Sequence, residues 1–546
     1  MSKSARKLTR DKDAQPGSNS ALVTTSWSPL TEPVFRALWL ATVASTIGTW
    51  MQDVGESWLM VSLTTSPMLV ALVETSGSLP VVLLAVPAGA LADVVDRRRL
   101  LLITQSWMLI SAAALGMLTL AGMVTPWVLL LLTFTLGLGS AMNGPALQAI
   151  IPELVPRGEL PAAVTLVSVA VNVSRAVGPA LGGLLVAATG SGVVFLLNAV
   201  SFLAVMLVIH RWKPSPQQGT MPPEHIFGAM RAGVRYVRHS PELRAAFLRT
   251  GVFIVFASAL WALLPSQARY VLEIGSFGYG VLLGCIGAGA VSGAAFLPAV
   301  RQKVSNNLLV VGATVLFSGV TIVLAHVHVP VIAGVAMILA GVAWIAVMSS
   351  FSTAAQTAAP AWVRARALSI YLLVFMGGMA VGSAAWGAVA ARFGVTNALT
   401  FAGLGLLIGV PASLRYRLID GDDLSLVPSV NWPDPVVVIE PKLEEGPVLV
   451  QTEFRIDPDQ VDGFRQAMRE LRRIRRRDGA IRWGLFHDPA DPGRFIESFV
   501  VESWAEHLRQ HARATEADRE QEDRAKAFHI GGERPATTHL IAEQIE

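Results

Sequence analysis

The chain has 546 residues, 53% of them hydrophobic and only 15% charged, with a mean hydropathy of +0.52. That composition excludes an ordinary soluble globular protein and puts most of the chain in lipid. The net charge of +4 hides an uneven distribution: 22 of the 39 acidic residues lie between Glu440 and Glu546, which marks a charged soluble unit at that end.

Residues 1–33 are polar and mildly basic, with no apolar core behind their lysines, and read as a disordered cytoplasmic tail rather than a signal peptide. A membrane-crossing helix needs about 20 apolar residues. Such runs follow near 35–61, 67–91, 100–122, 126–149, 161–188, 191–211, 246–270, 277–299, 307–327, 329–352, 367–390 and 394–414. The longest interruption, 212–245, reads as a central cytoplasmic loop. It divides twelve helices into bundles at 34–211 and 246–418, followed by a linker at 419–445 and a domain at 446–546. Basic residues at helix ends cluster on one side, as in Arg97, Arg98, Arg99, Arg235, Arg301, Arg364 and Arg415, with only Arg269 and Arg392 opposite. Lys and Arg resist translocation, so this side and both termini are expected to be cytoplasmic.

The two bundles echo each other. Gln148 to Pro152 after the fourth run matches Gln356 to Pro360 after the tenth, and the pair Gly178 and Gly183 recurs as Gly382 and Gly387. Repeated halves are how transporters place a substrate site between them. The loop Gly89-Ala-Leu91-Ala92-Asp93-Val-Val-Asp96-Arg97-Arg98-Arg99 resembles the signature of the major facilitator superfamily, with Asp96 where a glycine is usual and Val94 where a basic residue is common. The resemblance implies that Gly89, Leu91, Asp93, Arg97 and Arg98 form a conformational latch. Gly178-Pro179-Ala-Leu-Gly182-Gly183 is similar to the segment of that superfamily's exporters and antiporters, where proline kinks the helix and glycines admit a close neighbour. Phe35-Arg36-Ala-Leu-Trp39 and Gly48-Thr49-Trp50-Met-Gln52-Asp53 resemble the enterobactin-exporter-like branch, also described as transmembrane secretion effectors. That resemblance spans about residues 30–415 and implies proton-driven efflux of a siderophore or drug-like molecule.

Ionisable groups inside lipid cost about 2.5 kcal/mol or more each, so they face a cavity, pair, or carry coupling. Asp53, Glu56, Glu74 and Arg175 are the candidates. Counting along two outward-running helices puts Asp53 and Arg175 at similar depth, so they are expected to be close, with Glu56 or Glu74 left as the proton carrier. Asn143, Gln148, Asn172 and Asn198 are candidates for polar contacts to cargo, interhelical bonding being their commoner use.

Past a proline-rich linker the pattern turns to β-α-β-β-α-β: alternation over Val448 to Ile456, a capped helix from Asp457-Pro458 with apolar face Val461, Phe464, Met468, Leu471 and Ile474, strands near 481–487 and 494–502, helical segments near 503–513 and 515–528, and a strand near 536–542. With Glu502-Ser-Trp504-x-x-His507 this resembles the ferredoxin-like domains of the antibiotic-biosynthesis monooxygenase group, which implies pairing of sheets as dimers. His487, His507 and His511 show no catalytic or metal-ligand spacing and are assigned packing and surface roles. The arginine run from Arg469 to Arg477 reads as a solvated helix face near the membrane rather than a nucleic-acid site, since acidic residues outnumber basic ones in the domain. Neither metal nor cofactor is expected: the single cysteine, Cys285, excludes a multi-cysteine site, and there is no ATP-binding loop. The expected partners are a small molecule, protons and lipid. Two further readings stand beside the exporter: a lysophospholipid or lipid-type translocator, and a membrane-tethered monooxygenase-like enzyme.

Overall fold

The computed structural model describes residues 27–212, 226–418 and 441–543; the tail before Trp27, residues 213–225, most of the linker and the side chains of 85–94 and 226–230 lie outside that description. Twelve long helices are arranged as two sets of six. The N-half holds α1 (Pro33–Leu63), α2 (Pro67–Val94), α3 (Arg97–Leu120), α4 (Pro126–Leu154), α5 (Leu160–Thr189) and α6 (Ser191–Arg211). The C-half holds α8 (Pro241–Tyr270), α9 (Ser276–Arg301), α10 (Asn306–His326), α11 (Pro330–Thr357), α12 (Ala361–Phe393) and α13 (Val395–Arg415). Ten of these are long and apolar enough by composition to cross a membrane. The remaining two are α1, which carries Arg36, Asp53 and Glu56, and α13, whose apolar stretch is shorter.

Local chemistry sets the helix boundaries. Thr125, Ser240 and Ser305 accept backbone N–H bonds as N-caps, and Pro126 and Pro241 open the helices behind two of them. Gly190 and Gly394 end α5 and α12 at φ of 83° and 86°, left-handed values that glycine adopts without a Cβ penalty. They stand 204 residues apart, the offset that also relates Gly178 to Gly382 and Gly183 to Gly387. The repeat therefore reaches down to single backbone conformations.

The expected central loop is partly helix. α7 (Ile226–His239) lies between the halves in sequence, and its amphipathic face packs on α12 and the C-terminal domain. In that domain β1 (Val448–Arg455), α14 (Val461–Asp478), β2 (Arg482–Asp488), β3 (Asp491–Val501), α15 (Trp504–Arg513), α16 (Glu516–Lys526) and β4 (Ala536–Ile541) form an antiparallel sheet in the order β2-β3-β1-β4. This is the split β-α-β arrangement of ferredoxin-like folds. One sheet face carries Val448, Val450, Phe454, Phe495 and Phe499 against the helices; Phe486 and Leu540 are exposed.

The arginine run on α14 is not merely a solvated face. Arg475 is buried between Glu497 at 3.4 Å and Glu522 at 3.3 Å. Arg477 pairs with Asp478 and Asp518 at 2.8 and 2.5 Å and lies 5.1 Å from the Tyr236 ring of α7. Six arginines in nine residues hid a second helix face that meets carboxylates brought from distant parts of the chain.

Candidate transport site

The halves meet at the end away from the arginine-rich loops. There Trp58 stacks on Tyr279 with centroids 6.0 Å apart, the Tyr270 hydroxyl donates to Val61 O at 3.3 Å, and Thr75 donates to Ala380 O at 3.0 Å. Two helix pairs form the seam, α5 with α9 and α2 with α12. Close approach depends on glycine: a Cβ at Gly183 would meet Gly280 Cα at 2.8 Å, and one at Gly387 would meet Ala71 Cβ at 2.6 Å. Within each half, Gly178 faces Trp50 of α1, and its repeat mate Gly382 faces Val255 and Ser258 of α8. Each copy of the motif thus has one glycine for its own half and one for the opposite half. Pro179 is buried inside α5, and Gly182 lies against the Met51 backbone.

The acidic candidates gather near this closed end. Asp53 and Glu74 lie close enough to Glu56 and to one another to interact electrostatically, and Tyr279 of the opposite half falls within their field while bonding Ser57. They differ in surroundings. Glu56 is buried in the N-half, accepting from Gln52 at 2.7 Å and Thr133 at 2.9 Å, whereas Asp53 is exposed and Glu74, bonded by Ser78 at 3.4 Å, is half-buried.

The expected Asp53–Arg175 pair is not made. α1 and α5 run parallel in a register that sets Val43 beside Ser174 and Met51 beside Gly182, an offset of 131. Asp53 is therefore level with Leu184, nine residues beyond Arg175 and about 13 Å along the axis at 1.5 Å per residue. Depth counted from each helix start misled because the starts are not level. Arg175 instead lies with its guanidinium carbon 5.6 Å from the Trp50 ring centroid.

The polar candidates separate too. Asn198 is buried and donates to Gln52 at 2.6 Å, tying α6 to α1, so it joins the Glu56 network and not a cavity wall. Asn143 accepts from Gln105 at 3.1 Å and Thr104 at 3.3 Å, holding α4 to α3. Asn172, bonded to Ser168 O at 2.9 Å, and Gln148 are the exposed members. Sequence reasoning missed Gln52 and Thr133, although Gln52 stands one helical turn before Glu56. Of the latch residues, Arg97 pairs with Glu153 at 2.5 Å and Arg98 donates to the carbonyls of Ile209 and His210. All three bonds stay within the N-half. Asp96, where the family has glycine, caps α3 by accepting from Arg99 N at 2.7 Å. Gly89, Leu91 and Asp93 lie in 85–94, where only the helical backbone is described.

The C-terminal domain docks through one charged hub. Glu506 of α15 accepts from Arg235 of α7 at 2.9 Å and from Arg513 at 2.6 Å, and Arg513 lies 4.4 Å over Trp362 of α12, whose ring meets Tyr236 edge-on. Flanking salt bridges lower the Glu506 carboxyl below its usual range even though burial acts to raise it. Three histidines, brought from α15 and β4, pack around one another: His507 has its ring 4.6 Å from His511 and 4.7 Å from His539. His507 is buried and packs among its neighbours, while His487 lies apart against Phe495. Burial, with His511 and His539 adding to it, pushes His507 down to about 3.

Two six-helix halves, repeated to the level of single glycines and closed at one end over a charged level, define a transporter of the major facilitator fold. Solved structures share it: a bacterial homologue of the human lysosomal transporter Spinster, inward-facing and occupied, superposes with a TM-score of 0.58 at 15% identity over 71% of this chain and 97% of that one. The nucleoside transporter NupG gives 0.59 at 13% identity over 70% and 100%. The chain belongs to the transmembrane secretion effector family, which it matches over residues 24–546. It is 28% identical to the staphyloferrin A transporter of Staphylococcus aureus over 47% of this chain, a match spanning 65% of that protein. With the enterobactin exporter of Shigella boydii identity is 28% over 69% of this chain and 90% of the relative.

Proposed function

We propose that the chain is a proton-coupled exporter of a siderophore-like small molecule, working by alternating access from the bacterial inner membrane with both termini cytoplasmic. The observation that carries this reading is the gathering of Asp53, Glu56 and Glu74 beneath the closed end, with Tyr279 of the other half in their field. All three acids belong to the N-half, and closing the C-half over them excludes water from a cluster of like charges, a cost that an added proton relieves, so closure at this end and proton uptake are one event. Asp53, exposed between the halves, is the group that exchanges protons; Glu56, held by Gln52 and Thr133, anchors the cluster. Siderophore cargo is supported by the two relatives, and cytoplasmic termini by the arginine bias. On this orientation the conformation is open to the cytoplasm, ready to load. The glycine seams at Gly183 and Gly387 then act as the outer gate, and Arg97 and Arg98 brace the cytoplasmic end of the N-half. The C-terminal domain is accessory, and its outer sheet face with Phe486 and Leu540 is where two copies pair. Uptake of a siderophore into everted vesicles tests the reading. It is expected to collapse with uncoupler, to be lost in Asp53→Asn, to be reduced in Glu74→Gln, and to persist after truncation at Asp420. Uptake that survives both carboxylate changes refutes the coupling assignment.

A further inference from the structure

Among the described residues Arg175 is a charged group of the membrane region without a counter-ion; Arg249, buried in α8, also lacks one but donates to Asn307 Oδ1 and Tyr416 O. The Arg175 Nε is buried without a hydrogen-bond partner, and among the described residues no carboxylate lies within ion-pair distance of its guanidinium. The neighbouring acids do not serve it: Glu56 is bonded by Gln52 and Thr133, Glu74 by Ser78, and Asp53 interacts with Glu56 and Glu74 and makes no ion pair with Arg175. A lone arginine held by a transmembrane helix is costly and faces a pathway. The Trp50 ring beside it offers a π face but no acceptor atom.

Its place in the seam is specific. Along the contact of α5 with α9, Gly183 meets Gly280, Ala180 meets Gly284, and Arg175 and Ala176 meet Gly287. The Arg175 backbone is thus at the innermost of these α5–α9 glycine contacts, the inner lip of the seam, and its guanidinium lies by the Trp50 ring. A planar guanidinium matches a carboxylate or similar oxyanion through paired N–H donors, and the flanking indole presents an aromatic face to whatever lies beside that anion.

We propose that Arg175 is the cargo-anion contact of this transporter: it binds an oxyanionic group of the exported molecule, with Trp50 as the adjoining wall, and so holds cargo at the point from which the seam opens. This rests on the transport reading above and deepens it by assigning the charge of the cargo to one side chain. Proton and cargo then use separate groups, the carboxylates by the closed end and Arg175 at the lip.

The test compares a lipophilic fluorescent dye bearing one carboxylate with its neutral methyl ester, in everted vesicles holding the full chain. Arg175→Gln is expected to lower uptake of the anionic dye at least about tenfold, the weight of one hydrogen bond to a charged group, and to leave the ester unchanged. Arg175→Lys, which keeps the charge and loses the planar fork, is expected to recover part of the difference. Equal loss of both dyes in Arg175→Gln, or loss of neither, overturns the assignment. If the parent moves neither dye, the transport reading fails for this cargo, and equilibrium binding of the anionic dye to purified protein decides the matter. Saturable binding that Arg175→Gln weakens tenfold supports the contact; binding that is absent or indifferent to the change overturns it.

Discussion

Removing the negative charge at Glu506 is expected to detach the C-terminal domain from the membrane helices. The carboxylate serves Arg235 at 2.9 Å and Arg513 at 2.6 Å, these three side chains being at most 19% exposed, and more loosely the 48% exposed Arg509 at 3.5 Å. A unit-charge pair about 4 Å apart gains roughly 4 kcal/mol at an effective dielectric of 20 before desolvation is subtracted. Deleting the shared acid in Glu506→Gln leaves two partly buried cations facing each other, for which about 3–5 kcal/mol is the usual cost. Arg235→Gln leaves Glu506 its Arg513 partner and should cost about 1–2 kcal/mol by the same reasoning. Glu502, whose pair with Arg231 is 59% and 68% exposed, should contribute less than about 1 kcal/mol. The assay places a protease site in the 419–440 linker, cleaves the purified protein, and measures how much domain stays bound. At about 1.4 kcal/mol per tenfold, Glu506→Gln should weaken retention by two orders of magnitude or more, Arg235→Gln by about five- to thirty-fold, and Glu502→Gln by less than about fivefold. Glu506→Gln and Glu502→Gln behaving alike would refute the hub.

Other perturbations separate the remaining parts of the structure. Gly183→Ala drives a methyl group into Ser276 O at 2.6 Å and Gly280 Cα at 2.8 Å; backbone cannot yield as a side chain can, so the seam should stay open and thiol probes should reach cysteines placed at Ser62 and Ser276 from outside. Arg475→Met leaves Glu497 and Glu522 buried without their shared cation and should destabilise the domain by about 3–5 kcal/mol, read from denaturant unfolding. The His507 ring titrates near 3 when folded against about 6.5 unfolded. As pH falls below about 6.5 the unfolded chain therefore takes a proton that the folded domain refuses. Stability should drop by about 1.4 kcal/mol per pH unit, about 2 kcal/mol by pH 5, continuing toward pH 3. His507→Phe should flatten that slope in a pH series of unfolding midpoints.

The helices were legible because a lipid-spanning segment must be apolar and about 20 residues long, so each element announces itself locally. All twelve expected spans overlap observed helices, and the repeated glycines lie at close helix contacts in both halves. Depth was not legible. The offset between α1 and α5 depends on how Gly178 and Gly182 seat against Trp50 and Met51, a tertiary quantity, and an error of a few residues there turned an apparent Asp53–Arg175 pair into two separate levels. The Arg475 and Arg477 partners were hidden for a related reason. A helix dense in arginine looks solvated until the strand and helix bearing Glu497, Glu522 and Asp518 are folded onto it. α7 escaped because its amphipathic face is completed only by α12 and the C-terminal domain.

The repeat also shows what the two halves do not share. Gly178 seats on Ile47 and Trp50 as Gly382 seats on Val255 and Ser258, which aligns α1 with α8 at an offset of 208. On that alignment Asp53 corresponds to Trp261 and Glu56 to Leu264, while the α5-to-α12 offset of 204 sets Arg175 against Met379. The scaffold is duplicated and the charge is not. Trp261 meets Trp344 at 5.4 Å, with an indole N–H that has no acceptor among the described residues.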